Sequence, residues 1–179
     1  LEDTFQPHNT SAVMRTCDIF GIQDLYTVEN QFASKVSKHI ARGSQKWVTR
    51  NRYKGDFNNN LQLCFDDLRK DGYQIIATSP HIDSCYLSDF EIDKKTAFVF
   101  GKEKEGISDF TKNNVDGFLK IPMYGFTESF NISVAVAIIL ENLTSKLRKS
   151  TIEWQLTDRE KHELYTLWVQ KASKMLLQL

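Results

Sequence analysis

Ile121-Pro122-Met123-Tyr124-Gly125-Phe126-Thr127-Glu128-Ser129-Phe130-Asn131-Ile132-Ser133-Val134-Ala135 is the stretch on which the reading of this chain turns. An apolar strand end breaks at Pro122 and bends through Gly125, and apolar positions then continue through Ile138, Ile139, Leu140 and Leu143. That is strand, loop and helix, with the loop held between two buried elements. Glu128, Ser129 and Asn131 then lie near a helix N-terminus, where backbone N–H groups are free to meet a ligand. An ordinary N-capped core helix gives the same pattern.

Working outward, Phe118-Leu119-Lys120-Ile121 is the strand that feeds this loop. Further strands are predicted at Thr96-Ala97-Phe98-Val99-Phe100, Gln74-Ile75-Ile76-Ala77-Thr78 and Leu25-Tyr26-Thr27-Val28. The first of these is too uniformly apolar for a sheet edge. Leu1-Glu2-Asp3 is expected to be the end of another strand. Between the strands lie helical spacings, with apolar residues at 13, 14, 17 and 20 stopped by Gly21, and Leu61, Cys64, Phe65 and Leu68 stopped by Gly72. Pro7 to Ser11 reads as a turn in which Asn9, Thr10 and Ser11 are all candidate helix caps. Alternation of strands and helices predicts an α/β fold, a parallel sheet covered by helices on both faces. Thr157-Asp158-Arg159-Glu160 is a capping box. It opens a last amphipathic helix with Leu164, Leu167, Trp168, Met175 and Leu176 largely on one side, which packs on its own domain or at a subunit contact.

The 179 residues, 41% of them hydrophobic, fit one domain with a real core. No apolar run approaches bilayer-spanning length, so no membrane partner is expected. Cys17, Cys64 and Cys85 are three in number and have no metal-like spacing, so neither a disulfide framework nor a metal site is expected, and a reducing cytoplasm is. Net charge is zero but unevenly placed: Lys35 to Lys54 holds seven Lys or Arg residues and no acid, interleaved with His39, Trp47 and Tyr53. Such a strip suits a phosphate backbone with unstacked bases beside it, and equally suits a solvated helix face followed by a loop.

Directly after the strand ending at Phe100 comes Gly101-Lys102-Glu103-Lys104-Glu105-Gly106-Ile107-Ser108. The loop leaving the carboxyl end of a parallel strand is the standard ligand position. Neither glycine-rich phosphate pattern is met, and the two acids would repel phosphate. A cationic cofactor suits the loop better, and a polar turn punctuated by glycine remains the plain alternative.

Asn9 to Gly21, Phe98 to Gly106 and Ile121 to Ala135 stand in the order and spacing of three motifs, and together they resemble the SpoU family of RNA ribose 2′-O-methyltransferases, within the SPOUT superfamily. Gly43 to Val48 and Leu156 to Lys171 resemble the TrmH branch, which methylates the guanosine at position 18 of the tRNA D-loop. This resemblance, rather than any periodicity, implies a C-terminal trefoil knot, S-adenosylmethionine bound by the knot loops, and a homodimer. It divides the chain into a methyltransferase domain over 1–150 and a helical extension over 151–179. Alternatives within it are ribosomal RNA or the tRNA anticodon loop as target, or a non-catalytic RNA-binding member.

The resemblance also assigns residues. Asn9 and Arg15 face the ribose, and Glu103, Ser129 and Asn131 complete the catalytic set. Thr78, Gly101, Ile121, Met123 and Phe130 hold the cofactor, with Gly106 closing its loop. Beside it, the basic strip gains weight as an RNA contact through Lys46, Arg50 and Arg52, and Lys146 and Arg148 stand where related TrmH sequences carry an Arg-rich segment and are further RNA candidates. Methyl transfer to a hydroxyl requires alignment of oxygen, methyl and sulfur, which supplies roughly 7–11 kcal/mol, and a proton route, worth about 10²–10⁴-fold in rate. Arg15 as general base meets a difficulty, because guanidinium stays protonated below a pKa of about 12. Holding a phosphate and stabilising the developing alkoxide is the role it can fill.

Overall fold

The computed structural model describes residues 1–55, 59–82 and 84–176, with side chains to residue 173. Among the described residues, six strands and six α-helices follow in the order α1 Pro7–Phe20, β1 Asp24–Glu29, α2 Lys38–Ala41, β2 Thr49–Lys54, α3 Asn60–Lys70, β3 Gln74–Thr78, β4 Cys85–Tyr86, β5 Thr96–Val99, α4 Asp109–Asn114, β6 Gly117–Lys120, α5 Ile132–Lys149 and α6 Asp158–Leu176. A 3-10 turn at Ser44–Lys46 precedes β2.

All strand pairs are parallel, in two ladders, β1-β2 and β4-β6-β3-β5. The first residues stitch the ladders together. Glu2 bridges Val28 in parallel, Val28 N donates to Leu1 O, Asp3 N donates to Val28 O, and Glu2 N donates to Phe100 O just beyond β5. The predicted strand at Leu1-Glu2-Asp3 is thus a parallel bridge between β1 and the end of β5.

Alternation along β3 divides the core. Ile76 packs with Val13, Met14, Phe100, Leu119, Val136 and Ile139, under α1 and α5. Ile75 and Ala77 point the other way, into Phe65, Leu68 and Val99, under α3. Helices therefore cover both faces, as the run of apolar strands requires.

Against expectation, β5 ends the order β4-β6-β3-β5 despite its apolar run, with Glu2 N bonded to Phe100 O just beyond it. Two further expectations are corrected. Pro7 begins α1 rather than a preceding turn: its missing N–H and fixed φ suit the first helical position. Asn9, Thr10 and Ser11 are therefore buried first-turn residues and not caps. Ser11 Oγ instead accepts from Ser37 N, and the Thr10 hydroxyl bonds the Ser34 hydroxyl, docking the segment before α2. Second, the end of the basic strip is a strand, β2. Its Thr-Arg-Asn-Arg-Tyr-Lys sequence carries no apolar alternation, and it pairs with β1 because Glu29 lies beneath its arginines. Arg50 and Arg52 reach Glu29 at 2.9 and 2.6 Å.

Gly21 ends α1 in the left-handed region at φ 77° and the capping box opens α6 with mutual Thr157–Glu160 bonds. Helix α6 meets the chain where the Trp168 indole stands edge-on to Trp47, at 5.5 Å, and donates to its carbonyl. Met175 and Leu176 lie outside the described side chains.

Candidate active site

The loops after β3, β5 and β6 converge, as parallel strands of one sheet must make them do, on a cavity of about 740 Å³. Of the ten catalytic and cofactor positions expected from sequence, nine line it: Asn9, Thr78, Gly101, Glu103, Ile121, Met123, Ser129, Phe130 and Asn131. Arg15 does not: two turns along α1 from Pro7, it is exposed and lies off the cavity lining.

Asn9 joins the three motifs. Its amide Nδ2 donates to Glu103 Oε1 at 2.8 Å, and its Oδ1 accepts from Asn131 Nδ2 at 3.1 Å. Asn131 in turn caps α5, its Oδ1 accepting from Ser133 N and Oγ at 2.9 and 2.7 Å. Glu103 also accepts from Phe5 N at 3.3 Å, ahead of α1, so its negative charge faces a helix N-terminus. Asn9 is 1% exposed, and each polar atom of its amide has a partner whose chemistry fixes the other.

The 101–106 loop is a tight hairpin, Lys102 and Gly106 bonding each other through both backbone groups. A Cβ on Gly101 would stand 2.2 Å from the Gly106 carbonyl carbon, so closure of the hairpin itself demands glycine there. Lys102 leans over the loop to Glu105 at 2.9 Å and to Gln31 Oε1 at 3.2 Å, with Asp3 at 3.9 Å. The hydrogen bond to Glu105, ahead of the opposing desolvation, holds the Lys102 ammonium above its ordinary pKa.

Glu2 and Asp3, absent from the predicted set, anchor this loop from below. Glu2, 1% exposed, accepts from Ser108 N and from the Thr111 hydroxyl at the start of α4. Asp3 Oδ1 accepts from three successive backbone N–H groups, of Asn30, Gln31 and Phe32. The signal that could have found them is two adjacent acids in a short apolar bridge, which burial allows only with partners.

The five cations expected at RNA separate sharply. Lys46 is exposed. Arg50 is held by Glu29 and by the Ser34 carbonyl, and Arg52 by both Glu29 oxygens. Burial pushes the Glu29 carboxyl up, but the Arg52 hydrogen bond and the charges of Arg52 and Arg50 outweigh it and hold the carboxyl below its ordinary pKa. Lys146 donates to the carbonyls of Leu87, Ser88 and Phe90, and Arg148 to that of Phe20. Among the described residues, no cluster of three His, Cys, Asp or Glu side chains is placed to hold a metal ion, and no helix is long and apolar enough to cross a membrane.

A parallel α/β sheet with a ligand-sized cavity at its carboxyl edge, lined by amides and carboxylates above an apolar floor, defines a site for a mixed polar and apolar small molecule. The chain belongs to the SpoU rRNA methylase family, whose model matches residues 1–141. A tRNA (guanosine(18)-2′-O)-methyltransferase of Borreliella burgdorferi is 40% identical over 174 residues, 97% of this chain and 78% of the relative. Among solved structures, the TrmH/SpoU tRNA modifying enzyme of Aquifex aeolicus superposes with a TM-score of 0.79 at 28% identity, over 94% of this chain and 85% of the other. AviRb of Streptomyces viridochromogenes, a SpoU methyltransferase in complex with AdoMet, shares the fold at a TM-score of 0.69 and 19% identity, over 83% of this chain and 59% of its own.

Proposed function

We propose that this protein transfers a methyl group from S-adenosylmethionine to the ribose 2′-hydroxyl of guanosine 18 in the tRNA D-loop. The observation that carries the reading is the single cavity in which Asn9 ties all three motifs together. The likeness to a relative of that activity over 97% of the chain supplies the substrate.

The cavity fits the cofactor chemically. Ile121, Met123, Phe100 and Ile139 offer an apolar floor for adenine, and Glu103 and Glu105 offer negative charge to a sulfonium and an ammonium. Bound there, S-adenosylmethionine supplies an electrophilic methyl group. Asn9, Asn131 and Glu103 hold one another in place ahead of substrate, which is the alignment that in-line displacement needs. Ser129 and Phe130 shape the loop above, and Thr78, whose hydroxyl donates to Val99 O, fixes the end of β3.

Arg15 is exposed on the α1 face that carries Ile19, 66% exposed, four residues on. On neighbouring α5, Val134 is 45% exposed, and Tyr124 and Phe126 stand clear of the third-motif loop. A homodimer formed through this face covers them and carries Arg15 to the partner's cavity, where its guanidinium holds an RNA phosphate and stabilises the developing alkoxide, the proton leaving to that phosphate or to water. A knotted C-terminal half is supported by β6, which lies between the earlier strands β3 and β4. Residues 1–150 form the methyltransferase domain and 151–179 the extension, docked through Trp168. The free cysteines suit the cytoplasm.

The test is incubation with S-adenosylmethionine and unmodified tRNA transcripts, then digestion and mass spectrometry for 2′-O-methylguanosine. Product that disappears when the D-loop guanosine is replaced is expected. Product on ribosomal RNA alone overturns the substrate.

A further inference from the structure

Helix α5 has two ends with different work. At its start, Asn131 and Ser133 close the polar chain through Asn9 to Glu103. In its last turns Lys146 spends its ammonium on three backbone carbonyls of one short segment, at 3.2 Å to Leu87, 2.7 Å to Ser88 and 3.3 Å to Phe90. An ammonium has three donors, so none is left over. Its partners are not ordinary loop carbonyls. The segment that contains them leaves β4, pairs with β6 through Leu87 N to Lys120 O, and buries Leu87 in the core beside Leu119.

Tyr86 and Ser88 of that segment line a second hollow of about 390 Å³ together with Ile121, Pro122 and Met123. Ile121 and Met123 also line the main cavity, so the stretch just after β6 is shared between the two spaces. Beyond β4 the segment has little regular structure of its own to fix it, only the turn in which Asp89 N donates to Tyr86 O. We propose that Lys146 is a positioning residue: by clamping residues 87–90 it sets the outer wall behind Ile121 and Met123, and with it the apolar end of the cofactor site. This rests on the reading of the main cavity as that site. It replaces the role the sequence suggests for Lys146, a phosphate contact, with one directed at the cofactor.

The clamp and the phosphate contact differ in what they move. Calorimetry with S-adenosylmethionine in the absence of RNA is expected to show affinity about ten-fold weaker in Lys146→Met and within about three-fold of the parent in Lys146→Arg, which keeps donors for the carbonyls. Both variants are expected to keep the parent's salt dependence of RNA binding, whereas loss of a phosphate contact would lower the log–log slope by about one. Parental cofactor affinity in Lys146→Met, or a slope reduced by one, overturns the proposal. Hydrogen exchange without ligand separates its failure from failure of the cofactor reading. Faster exchange at the Leu87 and Asp89 amides, with β3 still protected, is expected even if the parent binds no S-adenosylmethionine. Unchanged exchange there, or protection lost across Gln74–Thr78 as well, overturns the clamp.

Discussion

Asn9→Asp changes one atom of the side chain and reverses its meaning. The Nδ2 that now donates to Glu103 Oε1 at 2.8 Å becomes an oxygen facing an oxygen, while the carbonyl that accepts from Asn131 is kept. Loss of a hydrogen bond to a charged group costs about 1.5–3 kcal/mol, and repulsion between two carboxylates adds to that. At about 2–4 °C per kcal/mol for a chain of this size, Tm falls by roughly 3–12 °C at neutral pH. Turnover falls further than stability, by about 100-fold, because Glu103 and the Asn131 cap lose their common reference. The sign of the pH effect identifies the cause. Facing carboxylates repel only when both are ionised, so the Tm deficit is full at pH 7.5 and shrinks as the buffer is taken towards pH 4.5, where one proton between the oxygens restores a donor. Asn9→Ala also loses the bond but adds no charge, so its deficit changes less over the same range. Scanning calorimetry of the three proteins at both pH values is the measurement. A deficit in Asn9→Asp that is absent at pH 7.5, or that does not shrink in acid, refutes the amide bridge between the first and second motifs.

Glu29→Gln, which leaves Arg50 without its buried counter-charge, is expected to cost about 3–5 kcal/mol in urea unfolding. In the parent, Glu29 has its pKa lowered by folding, so its stabilisation is complete above the unfolded value of about 4.3 and is lost as pH falls through the lower folded value; the acid limb of the pH–stability curve is therefore expected to flatten in the variant. Gly101→Ala forces the hairpin open, and calorimetry is expected to show cofactor affinity reduced at least ten-fold with the bulk of the fold retained in circular dichroism. A thiol reagent at pH 8 is expected to titrate Cys85 alone in the native protein and all three cysteines after unfolding, since Cys17 and Cys64 are buried and burial pushes each thiol up to about 11.

Short apolar runs located four of the six described strands to within a residue or two, and glycine stops located the ends of α1 and α3. The resemblance, not the pattern, brought nine cavity residues together, because nothing local in Asn9, Glu103 and Asn131 announces that residues 94 and 122 positions apart touch. What stayed hidden shares one physical cause: polar groups whose partners lie far along the chain. Strand β2 looks like a solvated loop until Glu29 is placed beneath it, and Asn9 to Ser11 look like caps until Pro7 is seen to begin the helix. Glu2 and Asp3 look like the polar end of a strand, with nothing to mark their partners, until Ser108, Thr111 and the amides of residues 30–32 close around them.

The same cause governs the electrostatics of the basic strip. Counting charges along the strip from Lys35 to Lys54 overstates it, because Arg50 and Arg52 neutralise a carboxylate that is itself buried, and a phosphate approaching them would have to compete with Glu29 at 2.6–2.9 Å. Arg148, bonded to the Phe20 carbonyl, and Lys146 keep their charge but have their donors committed inside the fold. Lys35, Lys38, Arg42 and Lys46 are different: all four are exposed, on the short stretch that packs α2 and the 3-10 turn against α1. In a chain of zero net charge, long-range attraction to a polyanion has to come from such local surplus. That surplus lies beside Trp47, still 44% exposed where Trp168 meets it edge-on, so phosphate attraction and a stacking surface occur together where α6 meets the end of the 3-10 turn.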